Sequence, residues 1–301
     1  MSIDGLRADH VTPELMPELS AFLQRSAYTL NARSDPDFTW TLPVHTSQFT
    51  GRPALGPAGH GIQYNEDLGA TVHEEAGEYV PSVFDVVHDN GGGTLMFVGK
   101  SKFSMHDRSW NATYGAPDIT GVDNGRDKID VYVKNAPDQL VQPFLDELDS
   151  LEFGFFHIRT PDEFGHIHAW DTAGYRTAVT EADATFGQLL AGIDANPAWA
   201  TTTAIIVVSD HGGVTDEFSH RDPLLPSNYT VPMVVFAPGV DAGADLYDLN
   251  PSRIDPGTSR PGLDGPQPLR VHEVANLALD LLGYDALTGS TFNAAQDLRI
   301  G

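Results

Sequence analysis

Short apolar runs that alternate with helical patterns predict an α/β fold, a three-layer α/β/α sandwich around a mostly parallel central sheet. Thr94-Leu-Met-Phe-Val98, Phe153-Gly-Phe-Phe-His-Ile158, residues 204–209 and Val231-Pro-Met-Val-Val-Phe236 are apolar on both faces. That pattern suits strands covered by helices on both sides. Helical patterns fall near residues 13–25, 81–89, 137–149, 172–195 and 271–282. In the fourth, Tyr175, Val179, Ala182, Phe186, Leu189 and Ile193 recur at three- and four-residue steps and mark one buried stripe. Pro232 belongs at a strand start or a sheet edge, because it cannot donate to a ladder.

With 301 residues and 41% hydrophobic content, the chain can bury one large α/β core or two small ones. No Pro/Gly/Ser-rich linker, charge block or repeat divides it, so one domain over 1–301 is expected. The polar, Gly-rich stretch 100–135 is the place for a small cap or loop. Within it, Asn124-Gly-Arg-Asp-Lys128 weakly resembles a calcium loop; a solvated acidic loop is the plainer reading.

Seventeen Lys and Arg stand against 42 Asp and Glu, a net charge of −25. A basic nucleic-acid or anionic-membrane surface is therefore not expected. The chain has no cysteine, which excludes disulfides, thiolate metal sites and a sulfatase aldehyde made from cysteine. No run reaches the roughly 18 apolar residues of a membrane span, and no signal-peptide pattern is visible. Asp4 lies only three residues from Met1, whereas a strand usually needs about five residues. That short lead leaves room for a longer natural N-terminus and a lost export signal, and localisation stays open.

The chemistry is carried by a dispersed set of donors. Asp210–His211 ends the apolar run 204–209 and is followed by Gly212-Gly213, which permits a sharp turn. Asp4 and Asp210 both sit just past a predicted strand, the edge where open α/β sheets gather ligand sites. Asp162 and His166 are four apart, and on a helix they share one face; His168 competes with His166. His220 follows His211 by nine residues, with His272 as its rival. Three carboxylates and three imidazoles suffice for two divalent ions, with zinc first and manganese or iron next. Thr41, flanked by Thr39 and Thr46, adds a hydroxyl that metal coordination would turn into a nucleophile. A threonine that merely caps a helix fits the same place.

On these residues the chain resembles the alkaline phosphatase superfamily, and in particular its type I phosphodiesterase/nucleotide pyrophosphatase branch. The resemblance covers nearly the whole chain: Asp4-Gly-Leu-Arg7, Thr41-Leu-Pro-Val-His45, Thr50-Gly51, His60-Gly-Ile62, Pro161-Asp-x-x-Gly-His166, Ser209-Asp-His-Gly212 and Asn276-Leu-Ala-Leu-Asp-Leu-Leu-Gly283 occur in family order. It implies an alkaline-phosphatase-like fold, here with a minimal cap, because residues 214–219 leave no room for the insertion that relatives carry there. Family members are often exported. The resemblance also implies that Asp162, His166 and His220 bind one metal and that Asp4, Thr41, Asp210 and His211 bind the other. Asn65 would contact a phosphoryl oxygen, with the N–H of Thr41 or Leu42 completing the oxyanion site.

Lys100 and Lys102, two of four lysines, leave a predicted strand and resemble paired cations in phosphonoacetate hydrolases and threonine-type monoesterases. Two divalent ions set against Asp4, Asp162, Asp210 and an ionised Thr41 leave the site near neutral, so a dianionic monoester would gain most from the lysines. The expected activity is a two-metal phosphoric ester hydrolase acting on a small phosphate ester or nucleotide through a phosphothreonine. Phosphodiesterase/nucleotide pyrophosphatase comes first, and phosphomonoesterase or phosphonate hydrolase second. A binding protein without activity and a capped phosphate mutase are the remaining readings.

Overall fold

The computed structural model describes residues 1–121 and 125–301. Asn124, at the head of the calcium-like segment, lies outside the described residues. The fold is mixed α/β with one seven-stranded sheet flanked by helices. Its strands are β1 (Ser2–Ile3), β2 (Ala27–Arg33), β3 (Gly93–Val98), β4 (Val131–Lys134), β5 (Leu151–Ile158), β6 (Ile205–Val208) and β7 (Thr230–Phe236). They are hydrogen-bonded in the order β2-β7-β6-β1-β5-β3-β4. The β1–β5, β1–β6, β3–β4 and β3–β5 pairs are parallel, and only β2–β7 and β6–β7 are antiparallel. The mostly parallel sheet is thus the one the apolar runs predict. Among the described residues, no helix is long and apolar enough to cross a membrane.

Two compact units are distinguished: residues 1–40, 157–271 and 298–301 form the first, and residues 41–156 and 272–297 the second. In the first unit the helix Ala173–Ala195 buries the predicted stripe from Tyr175 to Ile193. The same helix carries a buried Asp183, whose carboxylate accepts from the N–H groups of Glu18 and Leu19, both at 2.9 Å. It thereby caps the helix Pro17–Leu23 from outside. Phe22 and Phe186 meet edge to face at 5.3 Å across this contact.

Pro232 departs from expectation. It is the third residue of β7, an interior strand. The ladder tolerates it because the β2 register breaks between Thr29 and Ala32, opposite Pro232, while β6 pairs no further than Met233. No donor is missed at that position.

In the second unit the helix Thr41–Thr50 is buried at every residue. Its sequence is rich in threonine and carries an internal proline, so packing rather than propensity holds it. Phe49 lies 4.7 Å from Phe155 and 5.5 Å from Phe84. The predicted helix 137–149 is shorter, a 3-10 turn at Pro137–Gln139 followed by Val141–Asp146. The 271–282 helix likewise opens with a 3-10 turn before Val274–Leu282. Stretch 100–135 holds a turn, the helix Ser104–Ser109 and β4 among its described residues.

Lys128, the last residue of the calcium-like segment, is fully buried. Its ammonium contacts Asp118 and lies 2.8 Å from Asp89. A fixed cation therefore already serves these two carboxylates. Lys128→Met should cost about 3–5 kcal/mol, the scale of a buried pair broken on one side. Urea unfolding checks this, and a loss below about 1 kcal/mol would mean that solvent reaches the pair.

Candidate functional site

In the first unit, β1 pairs in parallel with both β5 and β6, so three strand ends point the same way. Asp4 directly follows β1 and Asp210 follows β6 by two residues. Asp162 and His166 lie on the helix Thr160–His168, which leaves β5. Asp162 N–H donates to the Asp4 carbonyl at 3.0 Å, joining the first and third of these ends. The Asp210 carboxylate accepts from the N–H groups of Gly5 and His211, at 3.1 and 3.0 Å. Gly5 is required here: its φ is +71°, and a Cβ would stand 2.8 Å from the Asp162 backbone. Gly213 is required for space, since a Cβ would meet the Trp170 ring at 2.2 Å.

Each of the three predicted imidazoles is anchored at Nδ1 on a backbone carbonyl. His166 bonds to Phe218 at 2.8 Å, His211 to Gly212 at 2.8 Å, and His220 to Thr39. A carbonyl only accepts, so Nδ1 carries the proton and Nε2 presents a lone pair. Those lone pairs face carboxylate oxygens. His166 and His220 Nε2 each lie 3.4 Å from Asp162 Oδ1. His211 Nε2 lies 3.2 Å from Asp210, 3.5 Å from Asp4 and 3.7 Å from Asp162.

Acceptor facing acceptor in a buried site is repulsive, and a cation between them converts the repulsion into coordination. Protonation does not answer the problem at His220. His211 and His220 stack at 3.5 Å and 5°, and burial, then the neighbouring His211, pushes His220 well below the usual histidine range. The oxygen and nitrogen donors of Asp162, His211 and His220, and of Asp4, Asp210 and His211, cluster closely enough for one ion each. His211 belongs to both sets. The donor chemistry fits divalent zinc, manganese or iron.

Two supports were not anticipated. His157, fully buried, donates from Nε2 to Asp4 Oδ2 at 2.9 Å. Its sequence signal is a lone histidine inside an apolar strand. Thr39 both accepts from His220 and donates its hydroxyl to the His220 carbonyl. Trp170 packs 5.1 Å from His166 and 5.5 Å from His220. His168 is exposed at the end of its helix.

In the second unit, Thr41 opens its helix, and Lys100 Nζ donates to Thr41 Oγ1 at 3.2 Å. Thr39 and Thr46 spend their hydroxyls on the carbonyls of His220 and Leu42. Asn65 Oδ1 accepts from Leu42 N–H at 3.0 Å. That N–H is therefore committed to Asn65. Lys102 lies 3.7 Å from Glu66. His272 is buried against Phe292 in this unit, ring centres 4.5 Å apart.

A family model described as type I phosphodiesterase/nucleotide pyrophosphatase matches residues 1–226. A Xenopus laevis protein named bis(5'-adenosyl)-triphosphatase enpp4 is 26% identical over 269 residues, 83% of this chain and 56% of the relative. The chain thus spans little more than half of that relative's length. Among solved structures, murine ectonucleotide pyrophosphatase/phosphodiesterase 5, an inactive form in complex with AMP, aligns over 99% of this chain and 98% of its own, with a TM-score of 0.67 and 14% identity. An alkaline phosphatase superfamily protein from Vibrio parahaemolyticus aligns over 98% of this chain and 68% of its own, with a TM-score of 0.62 and 14% identity. The 2-O GAG sulfatase BT1596 aligns over 99% of this chain and 73% of its own, with a TM-score of 0.62 and 12% identity. At such identities these structures speak for the fold alone.

Zinc titrated into chelator-stripped protein should bind with measurable heat and raise the Tm. At a hundredfold excess over Kd the stabilisation should be about 2.7 kcal/mol. His220→Ala should weaken binding at least tenfold, roughly the scale of a lost metal contact. Absence of both heat and Tm shift for zinc and manganese would exclude a metal centre here.

Proposed function

Because the chain belongs to the type I phosphodiesterase/nucleotide pyrophosphatase family, we propose that it is a metal-dependent phosphoric ester hydrolase that splits diesters or nucleotide pyrophosphates through a phosphothreonine on Thr41. The observation that carries the metal dependence is the anchoring of His166, His211 and His220 at Nδ1, with Nε2 turned to carboxylates. Asp162, His166 and His220 would hold one ion; Asp4, Thr41, Asp210 and His211 would hold the other. Bound there, divalent zinc supplies positive charge that favours an ionised threonine and offsets charge on the phosphoryl oxygens.

The chain's own groups supply the rest. Thr41 gives its hydroxyl proton to solvent, Oγ1 attacks phosphorus in line, a Thr–O–P bond forms, and the bond to the leaving oxygen breaks. The leaving oxygen takes a proton back from solvent. A water then attacks the phosphothreonine: its O–H goes to phosphorus, the P–O bond to Thr41 breaks, and the water's other proton restores the threonine hydroxyl. The Asn65 amide donates to a non-bridging oxygen, and the Lys100 ammonium, already on Thr41 Oγ1, favours the anionic nucleophile.

The Lys100–Thr41 contact also supports a second reading, phosphomonoester or phosphonate hydrolysis. A cation at the nucleophile helps a dianionic phosphoryl group more than a monoanionic one. The assay that decides compares p-nitrophenyl phosphate, bis-p-nitrophenyl phosphate and diadenosine triphosphate with zinc or manganese present. Hydrolysis of none would point to a binding protein on this fold.

Thr41→Ala should lower kcat by about 10³-fold or more on every substrate while the fold is kept. Near-normal turnover would assign the nucleophile to another hydroxyl or to water. Lys100→Ala should lower kcat/KM about ten- to a hundredfold on the monoester, and less on the diester. Equal losses on both would make Lys100 a general binding residue and leave diester hydrolysis as the activity.

A further inference from the structure

Two polar contacts join the helix Thr41–Thr50 to the segment from Lys100 through the helix Ser104–Ser109. One is Lys100 Nζ on Thr41 Oγ1, at 3.2 Å. The other is His106 Nε2 and Thr46 Oγ1, at 2.9 Å. The direction of the second bond is determined. Thr46 gives its own proton to the Leu42 carbonyl at 2.7 Å, so it accepts from His106 and Nε2 carries the hydrogen.

His106 is fully buried. Its ring stacks on Trp110 at 6.0 Å and 8°, and lies 5.0 Å from Phe49 and 5.4 Å from Phe103. Its Nδ1 has no hydrogen-bond partner. A phenylalanine would fill this aromatic cage without the cost of a buried bare nitrogen, which is about 1–3 kcal/mol. What a histidine offers there and a phenylalanine does not is the N–H to Thr46. Burial, the largest influence, pushes the ring down to about 3, so the neutral, single-proton form persists over ordinary assay pH.

We propose that His106 is a positioning residue: its bond to Thr46 fixes the register of the Lys100 segment against the Thr41 helix and so holds the Lys100 ammonium on the nucleophilic oxygen. This rests on the reading of Thr41 as nucleophile and Lys100 as its cationic partner. Thr46 lies five residues beyond Thr41, and His106 six beyond Lys100, so the buried bond acts as the pivot for the polar contact. The aromatic contacts constrain this register less tightly than a hydrogen bond does, because dispersion has little directionality.

The test is a double-mutant cycle on p-nitrophenyl phosphate and bis-p-nitrophenyl phosphate, with Tm measured alongside. His106→Phe keeps the cage and removes the donor. Thr46→Val removes the acceptor and serves if the first variant does not fold. Each should lower monoester kcat/KM about five- to tenfold, the scale of one hydrogen bond felt at the nucleophile. Each should have an effect below twofold once Lys100→Ala is present, since coupled residues are not additive. His106→Gln, whose amide can reach Thr46, should recover part of the loss.

Full additivity with Lys100→Ala, or equal losses on both substrates, would overturn the positioning role and leave His106 as packing. If instead Lys100→Ala itself changes neither substrate, the reading of Lys100 fails first, and the positioning role falls with it. The two failures are thus told apart by the Lys100→Ala single variant.

Discussion

Three backbone carbonyls, those of Thr39, Gly212 and Phe218, determine what the first unit can do. By accepting from Nδ1 of His220, His211 and His166 they fix each ring's tautomer and aim each lone pair at a carboxylate. The side chains alone do not specify that arrangement; a loop shifted by a residue would turn a lone pair away. The glycines are part of the same constraint. Gly213 lets the chain pass under Trp170, and Gly5 lets β1 turn against Asp162. The indole of Trp170 and the hydroxyl of Tyr175 both donate to the Gly5 carbonyl, at 3.2 and 2.8 Å. The β1 turn is therefore held through the Gly5 carbonyl as well.

The sheet and its longest helix were legible because their signals are local and strong. The apolar runs gave β3, β5, β6 and β7, and the three–four periodicity gave the helix Ala173–Ala195. The elements that escaped notice lack such a signal. In β2, Ala-Tyr-Thr-Leu-Asn-Ala-Arg shows neither a clean alternation nor a continuous apolar run. β4 is four residues long with no fully buried position. The helix Thr41–Thr50 is held by its surroundings. Pro232 departs from the strand-start rule because the bulge that accommodates it is a property of β2, not of its own strand.

At the site, residue types and spacing named the donors, and the structure adds what spacing cannot express. Asp162 with His166 could be read at i, i+4. The shared position of His211 between two donor clusters could not, nor could His157 behind Asp4. Lys100 and Lys102 looked equivalent in sequence. They diverge because Lys100 precedes the turn Ser101–Phe103 and Lys102 lies within it, so one ammonium meets Thr41 and the other Glu66.

Lys128 separates the two units chemically. Its ammonium is a covalently tethered counter-ion shared by Asp89 and Asp118, whereas the carboxylates around His211 face imidazole nitrogens. Under the proposed function, metal scarcity would bear on the first unit's acidic cluster, while the second unit's keeps its tethered ammonium. A cell or a buffer that strips divalent ions would leave the Lys128 ammonium on Asp89 and Asp118 as before, with any change of charge falling at the strand ends that carry Asp4, Asp162 and Asp210.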